Sequence, residues 1–144
     1  MPVTGEGIDL RLSRAELERW GEAFGASLAP GAIVALHGDL GAGKTTLVQA
    51  ICRGYGVSDE VTSPTYALVH EYVSPRSVVR HLDLYRLDSP ADLTNLGFDD
   101  MLGDDALLLV EWPEHAGERL PSVRTDVHLS HVADDAGVRR LVVA

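Results

Sequence analysis

Lysine occurs once in these 144 residues, at Lys44, and every other basic side chain is arginine. Cysteine also occurs once, at Cys52, which excludes an intrachain disulfide and a cysteine-based metal site. The thiol reads as a small buried side chain. No apolar run approaches the ~20 residues that span a bilayer. The opening stretch MPVTGEGIDLRLS lacks the basic head of a secretory signal. A cytoplasmic location with no membrane partner is therefore expected. Repeats, low-complexity tracts and basic runs are missing too, and the formal net charge is −10. Affinity for nucleic acid draws heavily on cations that neutralise phosphates, so this chain is a poor candidate for gripping RNA or DNA alone. It remains compatible with work beside a nucleic acid held by another molecule.

What is present is an ordinary globular composition, 45% apolar and 24% charged, and residues 1–144 are read as one domain. GIDLRL (7–12) alternates as a short strand. SRAE (13–16) matches a capping box, and Leu17, Trp20, Phe24 and Leu28 follow at helical spacing until Pro30–Gly31. Ile33 to Leu36 is an apolar strand that runs into a glycine-rich loop, and the helix behind that loop stops at Gly54 or Gly56. YALVHEYV (66–73) and VVRHLDLY (78–85) predict an antiparallel hairpin. DSPADLTNLGFDDML predicts a helix capped by Asp88 or Ser89, with Pro90 in its first turn. ALLLV (106–110) has the unbroken apolarity of a central strand, and TDVHLSHV and VRRLVV flanking ADDAG predict a terminal hairpin. The fold class expected is α/β: a P-loop NTPase-like mixed sheet, parallel in its core with antiparallel hairpins, flanked by helices.

Gly38, Gly43, Lys44 and Thr45 satisfy G-x-x-x-x-G-K-[ST] between a strand and a helix, the context that marks a phosphate loop. Its residues Gly38, Asp39, Leu40, Gly41, Ala42, Gly43, Lys44, Thr45 and Thr46 are the candidate nucleotide contacts. Glycines let backbone N–H groups turn inward around a polyphosphate, and the helix N-terminus adds positive potential. Lys44 is suited to the β- and γ-phosphates and Thr45 to Mg²⁺. This explains the single lysine: the planar fork of arginine is too bulky for a site ringed by backbone amides.

A phosphate loop needs an acid on a neighbouring strand. LLLVEWPE supplies Glu111 at the end of the apolar run, where open α/β sheets carry ligand chemistry. Trp112 alternates to the other side and reads as a packing residue. In HLDLY the period of two puts His81, Asp83 and Tyr85 on one face, with Asp83 a second candidate acid and His81 a hydrogen-bonding side chain of the sheet. Whether Asp83 or Glu111 orients an attacking water stays open. Thr62, Ser63 and Thr65 in VTSPTY stand where a nucleotide-sensing switch is expected, although the same composition suits a plain turn.

GDLGAGKTT, TSPTY, HLDLYRL and LVEWPE, in this order and spacing, resemble the bacterial TsaE (YjeE) family, the small ATPase of the tRNA threonylcarbamoyladenosine pathway. The resemblance runs from about residue 8 to the final hairpin; Met101 departs from the aromatic residue expected there. It implies ATP and Mg²⁺ as ligands, with phosphate and metal on Lys44 and Thr45, metal also on Glu111, and Asp83 supporting hydrolysis. It makes Thr62–Tyr66 a switch, brings Ser13 near the base, and lets Arg139 close the same side. The implied partners are the threonylcarbamoyl-transfer proteins of the TsaD and TsaB type, with tRNA engaged only indirectly.

Two other readings stand beside it. A small-molecule kinase needs a lid carrying several arginines, and segment 86–106 is acidic, with Arg86 its only cation. An assembly module that binds ATP without hydrolysing it is compatible with the lack of a certain base or arginine finger. A GTPase is excluded, because its Asn-Lys-x-Asp motif needs a second lysine. Slow turnover by the chain alone is expected, with the partner completing or opening the site.

Overall fold

The computed structural model describes residues 7–39, 41–58, 69–89 and 91–144. Across them seven strands form one sheet. Strand β1 (Ile8–Ser13) leads into helix α1 (Arg14–Ser27), β2 (Ile33–His37) into α2 (Lys44–Tyr55), and β3 (Val69–Val73) into β4 (Val78–Asp83). Two short helices, α3 (Asp92–Asn95) and α4 (Phe98–Leu102), precede β5 (Leu107–Glu111). Two 3₁₀ turns (Pro113–His115 and Gly117–Arg119) then connect to β6 (Thr125–Val132) and β7 (Asp135–Val143). The strand order is β1-β7-β6-β2-β5-β4-β3. β2 runs parallel to β5 and β6, and β4 parallel to β5, while the β3–β4, β6–β7 and β7–β1 pairs are antiparallel. This is the expected mixed sheet, a parallel core with antiparallel hairpins.

Local chemistry sets the element ends. The Ser13 hydroxyl accepts from the Glu16 amide at 3.2 Å and the Glu16 carboxylate accepts from the Ser13 amide at 2.9 Å, closing the predicted capping box. α1 ends at Ser27, short of Pro30–Gly31, because the backbone is already extended at Leu28. Arg76, arriving from the β3–β4 turn, donates to the carbonyls of Gly25, Ala26 and Leu28 at 3.4, 2.9 and 3.2 Å. It thereby satisfies acceptors that the helix end leaves open.

The single helix expected over DSPADLTNLGFDDML is two. Gly97 takes φ +73° between α3 and α4, a conformation that ends one helix and re-aims the next. Nor do Asp88 or Ser89 cap by side chain: Ala91 is the N-cap, and the Asp92 carboxylate accepts from the Ser89 amide. Pro90 lies outside the described residues. β4 stops at Asp83, so Tyr85 lies beyond the strand and the period-two rule does not reach it.

The sheet is covered on both faces. α1 and α2 cover one, burying Leu17, Phe24, Leu47, Ile51 and Tyr55 against Val34, Leu36, Val79, Leu107 and Leu109. The two helices approach so closely that a Cβ at Gly25 would run into the Ile51 carbonyl, and one at Gly54 into the Glu22 carbonyl. α3, α4 and the 3₁₀ turns cover Leu82, Leu84, Leu108 and Val110 on the other face. β5, buried along its whole length, lies between β2 and β4. Leu36 and Asp83 both pair in register with Glu111. Three parallel strands therefore release the chain at the same edge, directly before the glycine-rich loop.

Candidate functional site

The loop between β2 and α2 is shaped by two glycines. Gly38 has φ +153°, and a Cβ there would lie 2.7 Å from the Leu129 carbonyl oxygen of β6. Gly43 has φ +105° and caps α2 without a side chain, so the first amides of the helix are left for a ligand. Lys44 and Thr45 open the helix behind it.

Lys44 is buried, and its ammonium has no hydrogen-bond partner among the described residues. It sits 3.7 Å from the centroid of the Trp112 ring. Burial holds its pKa below the ordinary lysine range, opposed by the fields of Glu111, Asp83, Glu114 and Asp39. A buried cation lacking acceptors is unfavourable until an anion reaches it.

Opposite the lysine stand the two strand-end acids. Glu111 is buried rather than a solvated strand end, and its Oε2 lies 2.5 Å from Nε2 of the fully buried His81. Asp83 is half-buried and accepts from the Tyr85 amide at 3.1 Å, which turns the chain out of β4. Gly41, Gly43, Lys44, Thr45, Thr46, Asp83, Tyr85, Glu111 and Trp112 together line a cleft of about 440 Å³. The cleft thus brings Gly41, Gly43, Lys44, Thr45 and Thr46 together with the two acids.

Trp112 does more than the packing expected of it. It packs partly against the α3–α4 face, yet its ring also forms a wall of the cleft under Lys44. It adopts φ +56°, a left-handed conformation that ends the strand alternation at Glu111. Pro113, next in sequence, was the available signal that the alternation could not be extended. Tyr85, its ring centroid 5.0 Å from that of Trp112, is the other lining residue that sequence reasoning did not assign to the site.

On the far side of the loop a second cleft of about 340 Å³ is lined by Arg14, Leu17, Gly41, Gly43, Thr46, Ala136, Gly137 and Arg139. Arg139 reaches the loop, donating to the Gly41 carbonyl at 3.3 Å as well as to Ala136 and Val138. Ser13 is spent on the helix cap, and its neighbour Arg14 lines the cleft instead. Asp39 is exposed, accepting from the Ala42 amide through its backbone carbonyl, and Ala42 is buried. Leu40, Thr62, Ser63 and Thr65 lie outside the described residues. Among the described residues no three His, Cys, Asp or Glu side chains converge as a metal cluster, and no helix is long and apolar enough to cross a membrane.

Residues 12–141 match the family model described as threonylcarbamoyl adenosine biosynthesis protein TsaE. The tRNA threonylcarbamoyladenosine biosynthesis protein TsaE of Rickettsia bellii is 38% identical over 124 residues, 85% of this chain and 85% of that protein. Its namesake in Treponema pallidum is 35% identical over 132 residues, covering 92% and 96% of the two. Among solved structures, the crystal structure of YdiB from Bacillus subtilis superposes with a TM-score of 0.76 at 27% identity, covering 95% of this chain and 84% of that one.

Proposed function

The chain belongs to the TsaE family of threonylcarbamoyl adenosine biosynthesis proteins, and from that premise we propose that it is a Mg²⁺-dependent ATPase. It hydrolyses ATP slowly on its own and supports TsaD- and TsaB-type proteins in forming threonylcarbamoyladenosine on tRNA. The observation that carries the reading is Lys44: a buried ammonium without a hydrogen-bond partner among the described residues, at the head of a helix and facing two carboxylates across a cleft. A polyphosphate supplies the acceptors this lysine needs, and the amides of the loop supply the donors a polyphosphate needs.

The donor set fits a nucleotide-bound Mg²⁺. Magnesium prefers oxygen ligands and is held in such sites by a hydroxyl, one carboxylate and phosphate oxygens, with retained water, rather than by a protein cage. Thr45 and Glu111 provide that hydroxyl and carboxylate. A Mg²⁺ held by these two residues would supply electrostatic stabilisation of the charge that develops on the phosphoryl oxygens. Lys44 and the loop amides stabilise the same charge from the protein side while water attacks in line. Asp83 and Glu111 are the two acceptors available to orient that water. The second cleft takes the base, with Arg14 and Arg139 at its edge, and Thr62, Ser63 and Thr65 sense the γ-phosphate. ATP and ADP forms then differ in affinity for the partner proteins, which is the condition for hydrolysis to drive a cycle.

Titration calorimetry with ATP and Mg²⁺ tests the binding half of this reading. The unmodified chain is expected to bind, and Lys44→Ala to bind at least about tenfold more weakly, the loss of one charge-assisted contact. Equal affinity in the two would overturn it.

A further inference from the structure

His81 belongs to β4 and Glu111 to β5, two parallel strands in which His81 pairs with Leu109 and Asp83 with Glu111. By the period of two, His81, Asp83 and Glu111 share the face that α2 covers, with His81 one step deeper in the sheet. Both members of the 2.5 Å contact are buried. Burying a carboxylate is expensive unless a donor meets it, and His81 Nε2 is that donor for Oε2.

The rest of the ring is informative. Nδ1 is buried and has no partner among the described residues. With the hydrogen on Nε2, Nδ1 is a bare acceptor, and leaving a buried acceptor unpaired is destabilising. A leucine would fill this position in β4 without that penalty. Packing therefore does not account for an imidazole here, and the contact with Glu111 does. Lys44 is the other reason Glu111 has to be held in place. Its ammonium has no hydrogen-bond partner among the described residues, and Glu111 is the carboxylate acting on it most strongly. A Glu111 side chain free to turn would be drawn onto that ammonium, tying up both the acid and the cation of the site.

We propose that His81 is a positioning residue for Glu111: its Nε2–H holds Oε2, keeps the carboxylate off Lys44 and leaves Oε1 for Mg²⁺ or its waters. This rests on the reading of Glu111 as the acid of the Mg²⁺ site. Outer partners of ligating carboxylates typically change metal affinity by about 10- to 100-fold.

The test is calorimetric binding of a non-hydrolysable ATP analogue across a Mg²⁺ series, for the unmodified chain, Glu111→Gln, His81→Leu, His81→Gln and the double variant Glu111→Gln/His81→Leu. Analogue binding without Mg²⁺ verifies that each variant retains a folded loop. Glu111→Gln and His81→Leu are each expected to raise the Mg²⁺ half-saturation by about tenfold or more. His81→Gln, whose amide nitrogen lies at nearly the reach of Nε2, is expected to restore most of it. In the Glu111→Gln background, His81→Leu should add nothing, because the group it positions is already altered. A shift for Glu111→Gln with none for His81→Leu overturns the positioning role and leaves the Glu111 reading intact. Additive shifts in the double variant also overturn it, since a merely structural histidine behaves that way. No shift for Glu111→Gln overturns the Glu111 reading and this inference with it.

Discussion

The Lys44 ammonium rests over the Trp112 indole in the wall of the cleft, the nitrogen 3.7 Å from the ring centroid. A cation over an aromatic face is worth about 0.5–2 kcal/mol. Charge-assisted hydrogen bonds to phosphate oxygens are stronger, so a polyphosphate entering the cleft would draw the ammonium off the ring.

Trp112 emission should therefore report nucleotide binding. The other tryptophan, Trp20, stacks on Phe24 in α1, away from the cleft lining. Saturating ATP is expected to change the emission of a Trp20→Phe variant and to leave that of Trp112→Phe nearly unchanged. Constant emission from Trp20→Phe would mean that the ammonium stays on the indole.

Arg76 ties the β3–β4 turn to the end of α1 through three carbonyls. Arg76→Ala should lower stability by about 1–2 kcal/mol, because those acceptors lose a charged donor at a partly exposed site. Thermal melts should show a drop of a few degrees, with ATP turnover of the folded protein unchanged. An unaltered melting temperature would show that water replaces the guanidinium at no loss.

Gly25→Ala should be more damaging. The added Cβ meets the Ile51 backbone, which lies inside a helix and cannot yield as a flexible side chain can. A loss of about 2 kcal/mol or more is expected from forcing α1 off α2, measured as a lower denaturant midpoint. A neutral result would contradict the close approach of these two helices.

Burial pushes the Cys52 thiol up to about 12. At pH 8 a group with that pKa is thiolate in only about one molecule in 10⁴, whereas an ordinary thiol near 8.5 is roughly a quarter ionised. A thiol-specific reagent at pH 8 should leave the native protein unlabelled and modify it after denaturation. Rapid labelling of the native chain would contradict the burial.

Elements encoded by neighbouring residues were legible in the sequence. Ser13 and Glu16 carry the cap of α1 by themselves, Gly38 to Thr45 carry the loop, and the apolar run before Glu111 marks the central strand. What was not legible depends on strands distant in sequence or on a single backbone angle. The His81–Glu111 contact requires the β4–β5 register. The Arg139 bond to Gly41 joins residues 98 apart. The break at Gly97 and the turn of Trp112 into the cleft each come from one positive φ inside a segment whose side-chain pattern looked continuous. The loop and the two acids of the cleft were therefore readable in the sequence, while its aromatic wall and the partner of its buried acid were not.

The most direct test of the account is ATP turnover by the purified chain and by Lys44→Ala, each with and without the threonylcarbamoyl-transfer proteins of the same organism. The expected result is turnover well below the ~1–100 s⁻¹ of kinases for the chain alone, a changed rate with those proteins, and no turnover in the variant. Turnover that ignores the transfer proteins, or that survives in Lys44→Ala, would contradict it.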